Sequence, residues 1–421
     1  MKRVLAVLLL AAAVMSMSAC SQRQPGTFTV PGDYSTIQDA IDHAVPGDLI
    51  LVEPGTYHEE VSIDVKDVTI RGLDRNAVIL DGQDALRNGL RITSGGVSIE
   101  NLTIHSYTLN GIIFTGSGEL GHFEEEYRGS PELDSAGQVP HLERFRVAYV
   151  TAYNNGLYGI YAFQSRNGVI EHSLASGHPD SGIYVGQCSD CNTVIDAVTS
   201  ENNAIGYYGT NASGNVYVVR SIFKNNRLGV APNSQRQELL SPERDTYVVG
   251  NVVIDNDNPD TPPVARGFFG GGIAVGGGMS NLIARNYVAG HDVYGIGIVA
   301  LNPFDPVDNV IEGNVVKDNG IDILFAPSLA VTTTQGNCFK DNTYTTSAPV
   351  DVDLEYGCDG VDKPFTPFEV KYPRAPAGKD YRDMPVPGPQ TQMPGDLHAR
   401  PGLLPGQIEF PNLDGIPVPT P

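Results

Sequence analysis

The chain of 421 residues carries 27 basic and 49 acidic side chains, and its formal net charge is −22 at pH 7. Nucleic-acid affinity comes mainly from Lys and Arg that neutralise phosphates, so this charge balance argues against a nucleic-acid partner. Acidic polysaccharides are also disfavoured unless a local basic groove or bound calcium compensates for the charge.

The first 19 residues have the pattern of an export signal. Two basic residues precede the apolar stretch Val4–Val14, and small residues lead directly into Cys20. The apolar stretch is too short to span a bilayer, and the small residues suit a signal peptidase. The segment resembles a bacterial lipoprotein signal, although Met17 stands where Leu is usual. It predicts an exported protein with a lipid on Cys20, held by a tether (residues 20–27) at the extracytoplasmic face of the cell membrane or at the outer membrane.

A short helix is expected after the tether. In "STIQDAIDHA" (residues 35–44) the apolar residues have helical spacing along one face, and Pro46 stops the run. Ser35 occupies the expected N-cap position. We predict that this helix covers the first of the strands that follow, because an open end of stacked strands exposes core and edge backbone.

The middle of the chain repeats one pattern. Each unit has a short β-branched run, polar turn residues that often include Asn, a glycine, and a second apolar run. The equivalent glycines Gly159, Gly182, Gly206 and Gly229 recur at a nearly constant spacing of about two dozen positions. A fixed period in this range indicates stacked units. No segment within a unit is long enough for a crossover helix, so the pattern predicts an all-β parallel solenoid with asparagines aligned at its turns.

A family resemblance is carried by "STIQDAIDHAVPGDLILVEPGTYHEEVSI", by "VTIRGLD" and by repeats of the "NVIEGNVV" type. These resemble right-handed parallel β-helix proteins of the pectin-lyase-like superfamily, more closely their carbohydrate-binding and sugar-hydrolase repeat branch. The resemblance covers residues 28–360 and implies a single-stranded, right-handed β-helix. The catalytic residue sets of pectin methylesterases and pectate lyases have no counterpart that aligns, so the resemblance is strong for fold and weak for chemistry.

Three segments depart from the repeat. Residues 115–144 and 255–270 interrupt it, and insertions in solenoids often border a binding face. Residues 361–421 form a Pro-rich tail without periodicity. Such a tail is expected to be extended, and it either lies along the solenoid or is disordered.

Five cysteines are present, and export favours disulfides. With Cys20 lipidated, the other four allow three pairings. Proximity in the chain favours Cys188 with Cys191 and Cys338 with Cys358. The second pair closes a loop of about 20 residues and contributes about 3 kcal/mol on the loop-entropy model. Metal or redox roles for Cys188 and Cys191 are disfavoured, because no histidine spacing supplies further ligands and no strand-to-helix context follows.

One candidate binding surface is a column of tyrosines. If Ile160, Ile183 and Tyr207 point inward, alternation turns the next residue of each coil outward, which gives the ladder Tyr161, Tyr184 and Tyr208. Aromatic faces can stack on sugar rings, so an exposed ladder suits a linear glycan; the alternative is that the rings pack on each other or beneath an insertion. Asp180, in the nearby turn "SGHPDSG", is a further ligand-binding candidate.

Candidate catalytic residues lie in a second predicted outward column that includes Glu171, Asp196 and Arg220. This column assumes that Val219 points inward. The two carboxylates could hold Ca²⁺ or act as an acid/base pair, or they could belong to an ordinary charge ladder. His178 could serve as a general base, although a turn in which the following proline sets the backbone is the favoured interpretation. No cofactor or resident metal is identified.

These observations leave three hypotheses. The first is a lipid-anchored protein that binds a glycan or cell-envelope polysaccharide along an exposed solenoid face. The second is a polysaccharide lyase, epimerase or hydrolase of the same fold. The third is an accessory or scaffold protein with an envelope protein partner, because the fold also resembles β-helix proteins that help to mature periplasmic copper enzymes.

Overall fold

The computed structural model describes residues 23–116, 138–236, 239–263 and 269–420. Within these ranges the strands form three parallel sheets of 13, 11 and 10 strands. A typical coil contributes one short strand to each sheet, and each strand pairs in parallel with the equivalent strand of the next coil. The predicted all-β parallel solenoid is confirmed. The signal segment, Cys20 and the central part of both interruptions lie outside the described residues.

The strands of each sheet follow one another along the solenoid axis. The first sheet contains Thr27–Val30, Leu49–Val52, Thr69–Gly72, Val97–Glu100, Leu142–Ala148, Ser165–Glu171, Cys188–Ser189, Thr193–Asp196, Ala212–Val219, Arg244–Val249, Leu282–Ala284, Val310–Glu312 and Cys338–Lys340. The second contains Gly55–Tyr57, Val78–Asp81, Thr103–His105, Thr151–Tyr153, Leu174–Ser176, Thr199–Glu201, Ile222–Lys224, Val252–Ile254, Tyr287–Ala289 and Val315–Lys317. The third contains Val61–Ile63, Leu90–Ile92, Ile112–Thr115, Ile160–Phe163, Ser181–Gly186, Ile205–Thr210, Leu228–Asn233, Gly271–Gly276, Tyr294–Val299, Ile321–Ala326 and Ser347–Ala348.

The core consists of apolar columns that run parallel to the solenoid axis. In the first sheet Ile99, Val147, Ile170, Ile195 and Val218 are paired coil by coil and are fully buried. Complete burial of such a side chain contributes about 1.5–3 kcal/mol. The alternation of strand residues therefore turns the sequence period into a continuous core.

Buried polar ladders hold the turns, as the repeated asparagines predict. At the corner between the second and third sheets, Asn203 Nδ2 donates to Asn226 Oδ1 at 3.0 Å, and Asn226 Nδ2 donates to Asn256 Oδ1 at 2.8 Å. Asn226 N also donates to Asn256 Oδ1. Each side-chain amide thus satisfies buried backbone groups of its own and neighbouring coils, which is what allows a polar residue to be enclosed there.

A helix closes the N-terminal end, as predicted, and spans Ile37–Asp42. Its N-cap is Thr36 and not Ser35: the Thr36 hydroxyl accepts from Asp39 N at 3.0 Å, and Thr36 has the extended backbone that an N-cap requires. Glu59 accepts from two further backbone amides at the start of the helix. Of the helices in the described ranges, none is both long and apolar enough to cross a membrane.

Both predicted disulfides are confirmed. Cys338–Cys358 ties the last strand of the first sheet to the segment that follows a second short helix, Val352–Glu355. Cys188–Cys191 lies within one turn and does not itself link two coils. Hydrogen bonds link this turn to the next coil, among them Ser213 N to Cys191 Sγ and Cys191 N to Ser213 O, both at 3.1 Å.

The two interruptions lie at different corners of the solenoid. Residues 115–144 connect a strand of the third sheet to Leu142–Ala148 of the first sheet, whereas residues 255–270 connect the second sheet to the third. They therefore do not mark a single face of the molecule.

The Pro-rich tail lies along the outside of the solenoid and is extended, apart from two short 3-10 turns. Arginines of the solenoid donate to its carbonyl groups at several points: Arg71 to Leu397 and Ala399, Arg75 to Thr391, Arg144 to Leu404, Arg227 to Pro376, and Arg285 to Leu413 and Ile416. Prolines lack an N–H group, so this tail offers more acceptors than donors, and the guanidinium groups supply the missing donors.

Glu243 is a fully buried carboxyl inside the solenoid. It accepts from Thr246 Oγ1 at 2.6 Å and from Asn281 Nδ2 at 2.9 Å. Burial raises the pKa of Glu243 to about 8, despite these two hydrogen bonds. Between the ordinary pKa of a glutamate and about pH 8, the folded protein therefore keeps a proton on Glu243. The unfolded chain releases that proton in the same range.

We expect the free energy of unfolding to fall as the pH rises through this range, by up to about 1.4 kcal/mol per pH unit from this group alone. Glu243→Gln stays neutral and should remove that part of the slope, which urea unfolding at pH 5 and pH 8.5 measures. Glu171→Gln, at a partly exposed surface carboxylate, is the matched control. Equal slopes for wild type and Glu243→Gln would contradict the assignment.

Candidate functional site

The predicted tyrosine ladder is in register but is not exposed. Tyr161 pairs with Tyr184, and Tyr184 pairs with Tyr208, in the third sheet. The three residues are at most 8% exposed. Tyr158 stacks on Tyr161 with ring centroids 4.3 Å apart, and Tyr294 extends the same apolar cluster along the sheet. The prediction of an open glycan platform here is wrong, because the rings are enclosed in a second apolar layer outside the sheet.

His178 is fully buried, and Asp180 beside it is half-buried. His178 belongs to the buried corner ladder: its Nε2 lies 3.2 Å from Asn155 Nδ2 and its Nδ1 lies 2.8 Å from Asn203 Oδ1. Burial lowers the pKa of His178 to about 4. Asp180 accepts from Tyr158, and burial raises the pKa of this carboxyl to about 7. The proposed role of His178 as a general base is wrong, because both ring nitrogens are engaged within the fold.

The predicted charged column is placed differently from our expectation. Glu171 and Asp196 face each other on adjacent coils, but the next residue in register is Val219 and not Arg220. Ile195 pairs with Val218, so Val218 points inward and Arg220 falls in the following turn.

Each carboxylate of this column is paired with an arginine. Arg146 Nε donates to Glu171 at 2.8 Å, and Arg220 Nε donates to Asp196 at 2.9 Å. In the part of the chain that the structure describes, no three His, Cys, Asp or Glu side chains are grouped so that they could hold a metal ion. The geometry is that of a surface charge ladder.

A different row of polar side chains lies on the outer face of the second sheet. Asp81, His105 and Tyr153 are in register on successive coils, each at the last position of its strand. His58 directly follows the equivalent strand of the preceding coil. We call these four residues the His–Asp–His–Tyr row.

The Asp81 carboxylate lies between the two imidazoles of the row. His58 Nδ1 is 3.7 Å from Asp81 Oδ2, and His105 Nδ1 is 3.7 Å from Asp81 Oδ1. The rings of His105 and Tyr153 stack with centroids 4.5 Å apart. The side chains of His58, Asp81 and His105 are 46%, 23% and 17% exposed. The row therefore combines a solvent-accessible carboxylate with a pair of stacked rings.

The environment sets the protonation of the row at neutral pH. Burial lowers the pKa of His105, and Asp81 opposes this effect. Burial also raises the pKa of Tyr153, with a smaller contribution from Asp81. His105 is consequently a neutral imidazole that can accept a proton, beside a Tyr153 hydroxyl that keeps its own.

The sequence carries a signal for this row, although none of its four residues is among the predicted site residues. His58, Asp81 and His105 recur at the same spacing as the glycines in the middle of the chain. Tyr153 follows His105 at about twice that spacing, because residues 115–144 lengthen the coil between them. The period extended back from Gly159 would have placed all four residues in one column.

Comparison with known proteins identifies the architecture. Residues 54–251 match the family model described as a right handed beta helix region. The chain has the right-handed parallel β-helix fold. No curated protein sequence matches it.

Several solved structures are similar to this β-helix. The A-module of mannuronan C-5 epimerase AlgE4 from Azotobacter vinelandii is 14% identical, with 76% of this chain and 96% of that chain covered and a TM-score of 0.44. Pectate lyase Pel9A is 12% identical, with 77% and 78% covered and a TM-score of 0.44. The periplasmic alginate epimerase AlgG is 14% identical, with 76% and 85% covered and a TM-score of 0.44.

Proposed function

We propose that this β-helix protein binds a glycan across the His–Asp–His–Tyr row. The observation that carries the proposal is the stacked pair His105 and Tyr153 beside the partly exposed Asp81 carboxylate. Aromatic faces pack against sugar rings, and the polar edges of the same groups bond to sugar hydroxyls. Four coils at a spacing of about 4.8 Å give a row about 14 Å long, which suits a short stretch of a linear glycan.

The charges near the row favour a neutral or amino-bearing sugar. Asp81 and Asp84 both act electrostatically on His105, and positions 59 and 60 are glutamates. A polyuronate would be repelled by these carboxylates, in agreement with the charge of the whole chain. An amino group on the sugar would be attracted by them.

Acid/base catalysis on the bound glycan is the second candidate function. It is favoured by the position of Asp81 against both imidazoles and by the neutral state of His105. In such a reaction His105 would accept a proton from the substrate or from water, Asp81 would stabilise the imidazolium that forms, and Tyr153 would donate to the leaving oxygen. Lyases, epimerases and hydrolases of polysaccharides all require transfers of this kind.

His105→Ala and Tyr153→Ala are each expected to weaken glycan binding at least tenfold, or about 1.4 kcal/mol, because each removes one of the stacked rings. The chain from residue 20 onward with Cys20→Ser, tested against neutral, amino-bearing and acidic oligosaccharides, provides the measurement. Tyr153→Phe retains the ring and should retain binding, while it should slow any turnover seen as new reducing ends or unsaturated products.

Tyr184→Phe, in the buried ladder, is the matched control and should bind as the wild type does. Unchanged affinity of both alanine variants would refute the site. A reproducible protein partner or copper retained by the purified protein would favour the accessory role instead.

We also propose that the protein is exported and anchored through a lipid on Cys20. The support is the sequence of residues 1–20: an apolar run that is too short to span a bilayer and small residues before the cysteine. Fractionation of cells that express the full-length chain, followed by mass measurement of its N-terminus, tests both points.

A further inference from the structure

A turn of the C-terminal tail lies at the rim of the His–Asp–His–Tyr row. The 3-10 turn Tyr381–Asp383 places Arg382 Nε 3.5 Å from Asp84 Oδ1, three residues after Asp81. At its other end, Asn154 Nδ2 donates to Met384 O at 3.0 Å, and Asn154 directly follows Tyr153. The turn therefore borders the row on two of its coils.

The chain before this turn is fixed to the solenoid. Buried Arg227 donates to Pro376 O. Lys379 N donates to Asp260 O at 3.1 Å, and the Lys379 ammonium lies 2.6 Å from the Asp260 carboxylate. The Asp380 carboxylate accepts from Arg382 N at 3.0 Å, which caps the turn itself.

The chain after the turn is fixed equally well. Met384 is buried against the coil at Gly177. Asn76 and Gln390 exchange two hydrogen bonds of 2.9 and 2.7 Å, and Arg75 donates to Thr391 O. The turn is thus held from both sides in one position.

The side chains carried by this fixed turn nevertheless remain accessible. The Arg382 side chain is 51% exposed, and its guanidinium lies over the Tyr381 ring at 4.8 Å from the centroid. Exposed ion pairs such as Arg382 with Asp84 contribute little to stability. A contribution to stability therefore does not explain why the turn carries an exposed arginine and an aromatic residue beside the row.

We propose that the tail completes the glycan site, and that Tyr381 and Arg382 contact the bound sugar; this inference rests on the proposed glycan function. The Arg382 guanidinium offers several donors in a planar fork to the oxygens of a neutral sugar, and Tyr381 adds a ring at the rim. The charge of Arg382 also partly offsets that of Asp84. The site is then built from two parts of the chain, one near each end of the sequence.

The test uses the chain from residue 20 onward with Cys20→Ser. The probes are hexasaccharides of β-1,4-linked glucose, xylose, mannose and glucosamine, and of α-1,4-linked galacturonic acid. Tyr381→Ala and Arg382→Ala should each weaken binding of the hexasaccharide that the wild type binds at least fivefold. The melting temperature of the protein should not change. Phe410→Ala is the control, because Phe410 is an exposed aromatic of the same tail that stacks on Tyr217, away from the row.

The outcomes separate this inference from the function on which it rests. If His105→Ala abolishes binding while both tail variants bind as the wild type does, the tail contribution is refuted and the glycan site stands. If Phe410→Ala weakens binding as much as Tyr381→Ala, the tail acts only through its overall attachment, and the direct contact is refuted. If no hexasaccharide binds the wild type, both the function and the inference fail.

Discussion

Arg75→Met is expected to lower the free energy of unfolding by about 2–4 kcal/mol. Arg75 is only 2% exposed, and it donates to Thr151 Oγ1, Val150 O, His172 O and Thr391 O at 2.8–3.1 Å. Burial lowers its pKa to about 10, so the fold already bears a cost for this charge, which methionine would remove. Val150 O keeps a bond from Leu174 N, but other acceptors lose their donor. This loss outweighs the gain, because a buried acceptor left without a partner costs about 1–3 kcal/mol.

Arg144→Met provides the comparison. Arg144 also joins the solenoid to the tail, by one bond to Leu404 O. It forms an ion pair with Asp67 of the solenoid, and its side chain is more exposed than that of Arg75. Its loss should cost less than about 1.5 kcal/mol. Urea unfolding measures both variants, and limited proteolysis should cut the tail sooner in Arg75→Met. Equal destabilisation by the two substitutions would mean that burial of Arg75 is not what makes it important.

The sequence predicts the solenoid well because one physical rule generates it. When each coil returns a strand to the same sheet, equivalent residues recur at the coil length, and the glycines from Gly159 to Gly229 display that length directly. Single-residue details are weaker, because a coil that is shorter by one residue moves a side chain to the opposite face. That is why Val219 and not Arg220 is the strand residue in register with Asp196.

The exposure of a surface is harder to predict than its register. Alternation correctly turns Tyr161, Tyr184 and Tyr208 away from the core, but it says nothing about a further layer over them. The tail has the same difficulty, since a Pro-rich segment has no period to align with the coils. Its position depends on contacts such as Arg71 with Leu397, which no local pattern records.

The two parts of the candidate site also differ in how well the sequence predicts them. The His–Asp–His–Tyr row follows from the period, once residues 115–144 are recognised as an insertion within one coil. Tyr381 and Arg382 do not, because they reach the row only through the path of the docked tail. Sequence periodicity therefore finds the part of the site built on the sheets and misses the part contributed by the tail.

Removal of the tail after Pro367 is expected to have a larger effect than any of these substitutions, a loss of about 5 kcal/mol or more in the free energy of unfolding. The deletion uncovers the outer apolar face of the first sheet, where Ile416 packs against Val219 and Val249, and it removes Phe410 from Tyr217. It also leaves the solenoid arginines without their acceptors on the tail. A buried apolar side chain contributes about 1.5–3 kcal/mol, so a few such losses exceed the effect of any single substitution.

A chain that ends at Val418 is the matched control, since it keeps Ile416 and the arginine contacts with the tail. We expect this control to unfold at the wild-type midpoint, while the chain that ends at Pro367 unfolds at a lower urea concentration and binds a fluorescent hydrophobic dye before it unfolds. A synthetic peptide of residues 368–420 should suppress that dye binding, because the face it covers is already formed by the coils. If the shortened chain neither binds dye nor loses stability, the tail does not stabilise the solenoid. The arginine contacts with the tail then contribute little free energy.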